Sequence, residues 1–235
     1  MLRNRRRETG MSEAAPRGQA ERAEETRDLL VRTAIRLFAE KGVNGVSLRA
    51  VGEAAGQKNT AAVHYHFGDR DRLLMAAVDR ILAALAEPVD AGTASLVRVD
   101  RAFCDRSGIH AVLAALFLPM VTLPLRHPAW GSDAVKLLSR VVTGEAGQIA
   151  QEFSEKVNLH NDRIIDELSA RSGLTGRDHL AARLDFAFVS ILAVLASAEF
   201  LRPLVGETEL RQRYLAEVPQ LLDFVACGFG GQGYA

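Results

Sequence analysis

The chain has little of what marks secreted, disulfide-rich or metal-binding proteins. Its 235 residues include only two cysteines, Cys104 and Cys227, with no CxxC pair or Cys/His cluster. Their wide separation predicts neither a disulfide framework nor a zinc site, and a reducing cytoplasm fits this cysteine usage best. The formal net charge is also zero, which by itself is not the basic excess expected of a DNA-binding protein.

Catalytic signatures are missing as well. The sequence contains no GxSxG, HExxH or P-loop, and its six histidines show no spacing typical of acid/base or metal chemistry. Gly228, Gly230 and Gly233 satisfy GxGxxG, but only two residues follow Gly233. No helix can begin there to bind a pyrophosphate. The sequence therefore predicts neither an enzyme nor a bound cofactor.

Signals for export or membrane insertion are weak. Residues 1–18 are charged and polar without an apolar core, unlike a secretory signal. Residues 107–125 carry no formal charge, but His110, Pro119 and Pro124 interrupt them. Such an interrupted run is more typical of a buried core helix than of a membrane span. We expect a cytoplasmic protein.

What is present predicts an all-α protein. The chain is 48% hydrophobic and 25% charged, as globular domains usually are, and it is long enough for one large or two smaller domains. Apolar residues recur at helical spacing, and no alternating strand pattern of useful length occurs. Helices are predicted at 26–41, 47–55, 59–67, 69–87, 95–105, 109–125, 133–142, 145–170, 177–201 and 207–229.

Residues 47–67 predict two short helices joined by a tight turn. The Ser47 hydroxyl can cap the first helix, which Gly56 ends, and Asn59 can cap the second. Val63 and Phe67 would then pack against the first helix. This layout is that of a helix-turn-helix or of an ordinary helical hairpin whose polar residues are solvated.

The outward face of the second helix favours the helix-turn-helix. A helix that enters the major groove needs a small first turn and hydrogen-bond donors behind it. The small residues are Thr60, Ala61 and Ala62, and the donors are His64, Tyr65 and His66.

The end of this segment resembles a known family. Tyr65-His66-Phe67-Gly68 followed by Asp69 is similar to the YHFG signature of tetracycline-repressor-like (TetR) regulators. Residues 26–42 (TRDLLVRTAIRLFAEKG) and 50–56 (AVGEAAG) resemble that family's first two helices. The resemblance covers about fifty residues, with one residue more between Gly56 and Tyr65 than the commonest family pattern. It implies an all-helical homodimer, most often a repressor, that binds an operator and is released by a small ligand.

The resemblance also implies a set of DNA contacts. The second helix would read DNA, with Tyr65 and His66 on phosphates rather than bases, and the start of the first helix would touch phosphates too. The predicted DNA-binding residues are Ser47, Arg49, Asn59, Thr60, Ala61, Ala62, His64, Tyr65 and His66. Residues 1–72 carry fourteen Lys or Arg against ten Asp or Glu, so the basic excess coincides with this region.

Three segments are expected along the chain: a disordered basic arm at 1–22, the helix-turn-helix domain at 23–68, and a helical ligand-binding and dimerisation domain at 69–235. The arm opens with four arginines before any acid, namely Arg3, Arg5, Arg6 and Arg7. It is either a solvated tail or an arm that reaches the minor groove or the phosphates.

The helix predicted at 177–201 is apolar almost all round between Phe186 and Ala198, so it needs cover on every side. A partner chain would cover it, as the resemblance implies for the last two long helices. A central helix buried within a monomer is the alternative.

Apolar side chains from several predicted helices, with histidines beside them, indicate a cavity for an apolar or amphipathic effector. The predicted pocket residues are Phe103, His110, Phe117, Met120, His127, Trp130, Phe153 and His160. The same residues are compatible with a packed core. We therefore predict a ligand-responsive regulator that binds a palindromic operator. A helical scaffold or adaptor without sequence-specific DNA binding is the alternative.

Overall fold

The computed structural model describes residues 15–57, 61–91, 93, 109–172, 176–197 and 207–230, whose regular structure is entirely helical, as predicted. Within these ranges the helices are α1 (Ala15–Lys41), α2 (Leu48–Ala54), α3 (Ala61–Phe67), α4 (Arg70–Ala86), α5 (Ile109–Val121), α6 (Leu123–Arg126), α7 (Gly131–Val142), α8 (Gln148–Ser172), α9 (Arg177–Ala196) and α10 (Glu207–Gly230). The helix predicted at 95–105 lies outside the described residues.

Local capping fixes the starts of α2 and α4. Ser47 Oγ accepts a hydrogen bond from the Ala50 N–H at 3.2 Å, and Asp69 Oδ1 accepts one from the Arg72 N–H at 2.8 Å. The Ser47 cap confirms the prediction, because a side-chain acceptor satisfies a backbone donor that the first turn leaves free, and Asp69 caps α4 in the same way. Gly68 separates α3 from α4 with a φ of +74°, a conformation that favours glycine.

The start of α1 was predicted wrongly. The helix begins at Ala15 rather than Thr26, so residues 15–22, expected within the disordered arm, are helical. Residues 20–25 are all exposed and present no buried apolar stripe that periodicity could detect. Ala, Glu, Arg and Gln predominate here, and these residues form helices without needing a core to cover them.

The helix predicted at 109–125 is two helices. Pro119 lies inside α5, but the helix ends at Val121, and α6 begins at Leu123 with Pro124 in its first turn. Proline is well placed in a first turn because its missing N–H would have no partner there. The Thr122 hydroxyl between the two helices donates to the Leu118 carbonyl at 2.7 Å.

A single hydrophobic cluster extends through the described helices and across the predicted domain boundary at residue 68. α1 packs against α4 on one side and α7 on another, and α7 packs in turn on α8 and α9. Arg140 of α7 reinforces this contact, since its Nε donates to the Ala39 carbonyl at 3.2 Å. The last turn of α1 is therefore held by a residue from the C-terminal part of the chain.

The contact between α1 and α7 also contains charged groups. Burial raises the pKa of the Asp133 carboxyl above its ordinary value; Lys136 opposes that shift, Glu40 adds to it, and Arg36 opposes it. Glu40 and Arg36 belong to α1, whereas Asp133 and Lys136 belong to α7. The two helices thus interact through charge as well as through apolar packing.

Cys227 in α10 is disulfide-bonded, contrary to the expectation from cysteine spacing. Cys104 lies outside the described residues.

Candidate nucleic-acid interface

α2 and α3 pack as the sequence predicted. Leu48 and Val51 of α2 are buried, as are Val63 and Phe67 of α3, and the two helices are in contact. Gly56, with a φ of +69°, lies in the turn between them. The pair therefore forms a compact helix-turn-helix with its remaining face open.

The open face carries polar and aromatic side chains. Tyr65 is 86% exposed, and His64 is exposed beside it. His66 is half-buried, with its ring centroid 5.4 Å from that of Tyr65. Ala61 and Ala62 lie in α3, whereas Asn59 and Thr60 lie outside the described residues. The structure thus places the predicted donors together on the surface of α3.

The two predicted contacts near α2 are both engaged within the protein. The Ser47 side chain caps α2. Arg49 Nε donates to Glu53 Oε1 at 2.8 Å, and this hydrogen bond, together with the Glu53 charge, raises the pKa of the Arg49 guanidinium. Arg49 is highly exposed and keeps its charge, so a phosphate would compete with Glu53 for it.

Two arginines that sequence reasoning missed border the same surface. The Arg27 guanidinium lies 5.6 Å from the centroid of the Phe67 ring, a cation–π contact between α1 and α3. Arg72 of α4 is highly exposed. A cavity of about 430 Å³ opens between α1, α3 and α4, with Arg27, Arg72, Tyr65 and His66 among its lining residues. The missed signal was the basic residue in the first turn of α4, directly after the YHFG sequence.

Three of the predicted pocket residues on α5 and α8 are packed in the core. Phe117, Met120 and Phe153 are buried in the main hydrophobic cluster, and the Phe117 and Phe188 ring centroids lie 6.4 Å apart. His110 lies in α5 and His160 in α8, and Phe103 lies outside the described residues. An effector pocket here stays a prediction.

His127 and Trp130 face α4 instead. The Arg80 guanidinium of α4 lies 5.1 Å from the Trp130 ring centroid, and the His127 ring lies 4.7 Å from Trp130 on centroids. His127 Nε2 is buried 3.3 Å from Glu87 Oε2, although among the described residues it has no aligned hydrogen-bond partner. The turn at 127–130 therefore packs against the C-terminal part of α4.

Arg126 binds the end of α4 directly. Its guanidinium, 9% exposed, donates from both Nη atoms to the Ala84 carbonyl at 3.0 Å, and from Nη2 to the Pro119 carbonyl of α5 at 3.0 Å. Nε also donates to Thr122 Oγ1 at 3.3 Å. One cation thus satisfies carbonyls in the last turns of two helices, where the helix dipole favours positive charge.

Comparisons with known proteins agree with this geometry. The model of the bacterial regulatory proteins of the tetR family matches residues 30–77, from α1 into α4. The repressor AcnR of Corynebacterium efficiens and that of Corynebacterium glutamicum are each 35% identical over 80 residues. Those alignments cover 34% of this chain and 41% of each relative, so the chain spans about two fifths of their length.

A transcriptional regulator from Rhodococcus sp. is similar in structure, with 19% identity and a TM-score of 0.47 over 84% of this chain and 96% of that one. The family match includes α2, α3 and the first turns of α4, which together form the open helix-turn-helix face. Over this N-terminal segment, the chain is similar to the bacterial regulatory proteins of the tetR family.

Proposed function

We propose that the chain is a cytoplasmic, ligand-responsive transcriptional repressor. It binds a palindromic operator as a homodimer. The proposal rests on the helix-turn-helix, whose first helix is capped and whose exposed face carries hydrogen-bond donors. This helix-turn-helix lies within the segment that matches the family model. The function is binding rather than catalysis. A scaffold without sequence-specific DNA binding would have no use for that open face.

We assign DNA contact to three residues of α3, the exposed His64 and Tyr65 and the half-buried His66. Arg49 is assigned to the same surface, with Arg27 and Arg72 at its edge. Tyr65, the most exposed of these, would hydrogen-bond a phosphate and thereby position the domain without reading sequence. Arg27 and Arg72 would attract the phosphates electrostatically, and their contribution to DNA affinity would fall as the salt concentration rises. Ala61 and Ala62 lie in α3, and we keep them, with Asn59 and Thr60 just before them in the sequence, among the proposed DNA contacts.

The last two helices support a homodimer. Phe186 of α9 and Phe224 of α10 are each 72% exposed, and Val189 of α9 is exposed too. Within the described residues, α9 is a helix long and apolar enough to cross a membrane by length and composition alone, yet only a third of that stretch is buried. Exposed apolar area of this kind marks an interaction surface, and a second copy of the chain would cover it.

We expect the double variant Phe186→Glu/Phe224→Glu to be a folded monomer that binds the operator at least about a hundredfold more weakly. Four buried carboxylates would oppose the dimer, and each half-site would lose the high effective concentration that the tethered partner provides. Light scattering and a gel shift on operator DNA measure the two effects. The control is Gln151→Glu at an exposed position on α8, which should change neither. A double variant that stays dimeric would contradict the assignment of the interface.

The coupling between effector and DNA would pass through the contacts on α1 and α4. Arg126 and the 127–130 turn hold the C-terminal end of α4, and Arg140 holds the C-terminal end of α1. Both helices lead directly to the helix-turn-helix. A ligand that shifts the core around Phe117 and Met120 would move α5, and with it the Pro119 carbonyl that Arg126 binds.

We expect an apolar or amphipathic effector and operator DNA to weaken each other's binding by the same factor, because linkage is reciprocal. A hundredfold loss of operator affinity requires about 2.7 kcal/mol of difference between the two conformations. A thermal-shift screen of hydrophobic small molecules, followed by titration of each hit with and without operator, measures this coupling. If every hit binds with the same affinity in both titrations, ligand binding is not coupled to DNA binding, and the buried core serves stability alone.

A further inference from the structure

His64 is an exposed side chain of α3 whose ring is fixed by a backbone acceptor. Its Nδ1 lies 3.0 Å from the carbonyl oxygen of Gly68. A carbonyl oxygen can only accept, so Nδ1 carries the hydrogen. In the neutral imidazole the other nitrogen, Nε2, is then an acceptor with no hydrogen of its own.

The arrangement follows from how α3 ends. The Gly68 N–H donates to the His64 carbonyl at 2.8 Å, while the Gly68 backbone turns out of the helix with a φ of +74°. The ring of His64 and its own carbonyl therefore both bond to the same residue. This double attachment holds the ring across the C-terminal turn of α3, with Nε2 on the side of the ring away from Gly68.

We propose that His64 is a specificity-determining residue that accepts a hydrogen bond from an exocyclic amine, either N6 of adenine or N4 of cytosine. The inference rests on the proposed function. In the major groove those two amines are the donors that the bases present, whereas guanine and thymine present O6 and O4 as acceptors. An acceptor fixed on the reading helix would favour adenine or cytosine and would be repelled by guanine or thymine.

His66 is the matched control on the same helix. It is half-buried, and its ring lies against Tyr65 and Phe67, with centroid distances of 5.4 and 6.1 Å. No hydrogen bond of this kind is seen for it in the described structure. A substitution at His66 should therefore weaken binding to all sequences alike, as loss of a phosphate contact would.

The first test needs no DNA. Long-range proton–nitrogen NMR of the free protein at pH 8, where an ordinary imidazole is neutral, reports which ring nitrogen carries the hydrogen. We expect His64 to be the Nδ1–H tautomer. A hydrogen on Nε2 would overturn the inference, because the outward nitrogen would then be a donor.

The second test uses a panel of operators with every single base change in one half-site, bound by the wild type, His64→Leu and His66→Leu. We expect His64→Leu to lose a three- to tenfold preference for adenine or cytosine at one position, about the value of one neutral hydrogen bond. Replacing that base by purine or pyrimidin-2-one, which lack the amine, should weaken the wild type equally and leave His64→Leu unaffected.

The outcomes separate the inference from the function on which it rests. Absence of any sequence-specific binding by the wild type would remove the proposed function and this inference together. Tight operator binding in which His64→Leu relaxes a guanine or thymine preference would remove only the inference. The inference would also be removed if His64→Leu weakened binding to all operators in the panel equally, as His66→Leu is expected to do.

Discussion

Gly131→Ala should be among the most destabilising single substitutions in this chain. A Cβ at this position would lie 2.4 Å from the Leu123 carbonyl oxygen and 2.8 Å from the Pro124 Cα. These are backbone atoms that cannot rotate away, so α6 would have to separate from the start of α7. We expect a loss of about 3 kcal/mol or more in the free energy of unfolding, and a fall in Tm of ~6–12 °C.

Gly18→Ala is the matched control for Gly131→Ala. Gly18 also lies in a helix, but a Cβ there would have no atom within 4 Å. Alanine should stabilise this position by ~0.5–1 kcal/mol, because it restricts the unfolded chain and favours the helix. Thermal and urea unfolding of both variants measure the contrast. Equal stability of the two would mean that α6 and α7 are not in the close contact described here.

Arg126→Met should also lower stability by about 3 kcal/mol. The buried guanidinium donates to the Ala84 and Pro119 carbonyls and to the Thr122 hydroxyl, and hydrogen bonds from a charged group contribute ~1.5–3 kcal/mol each. Methionine has similar length but leaves those acceptors without a donor. Arg126→Lys should have an intermediate stability, because the lysine ammonium group cannot bridge both carbonyls as the planar guanidinium does.

Arg163→Met, at an exposed position on α8, serves as the control for Arg126→Met and should stay within ±0.5 kcal/mol of the wild type. Urea denaturation with a common slope gives the comparison. In the gel shift, Arg126→Met should also show a weaker response to any effector found by the thermal-shift screen. A variant as stable as the wild type would show that the carbonyls find other donors.

Short-range features of this fold could be predicted from the sequence. Ser47 and Asp69 bond to backbone groups three residues away, so the residue type and its local position were sufficient. Val63 and Phe67 are four residues apart on a seven-residue helix, and one face of that helix had to be buried. The contact of His64 with Gly68 is equally local, and its four-residue spacing could have revealed it.

Long-range contacts could not be predicted in this way. Arg126 bonds to a carbonyl 42 residues away, and Arg140 to one 101 residues away. Nothing in the sequence near either arginine specifies such a partner. Trp130 and His127 looked like pocket residues because they are large and lie beside apolar segments, but their neighbours Arg80 and Glu87 come from α4. Tertiary packing, which periodicity does not encode, decided their place.

The bond between Arg140 and Ala39 has a consequence for synthesis of the protein. The chain emerges from the ribosome N-terminus first, at roughly 5–20 residues per second. Arg140 follows Ala39 by 101 positions, and a stretch of this length takes roughly 5–20 s to be made. During that interval α1 exists without α7, so the face that α7 will cover is open to chaperones and proteases. The N-terminal domain, although it is translated first, cannot reach its final packing until more than half of the polypeptide has been made.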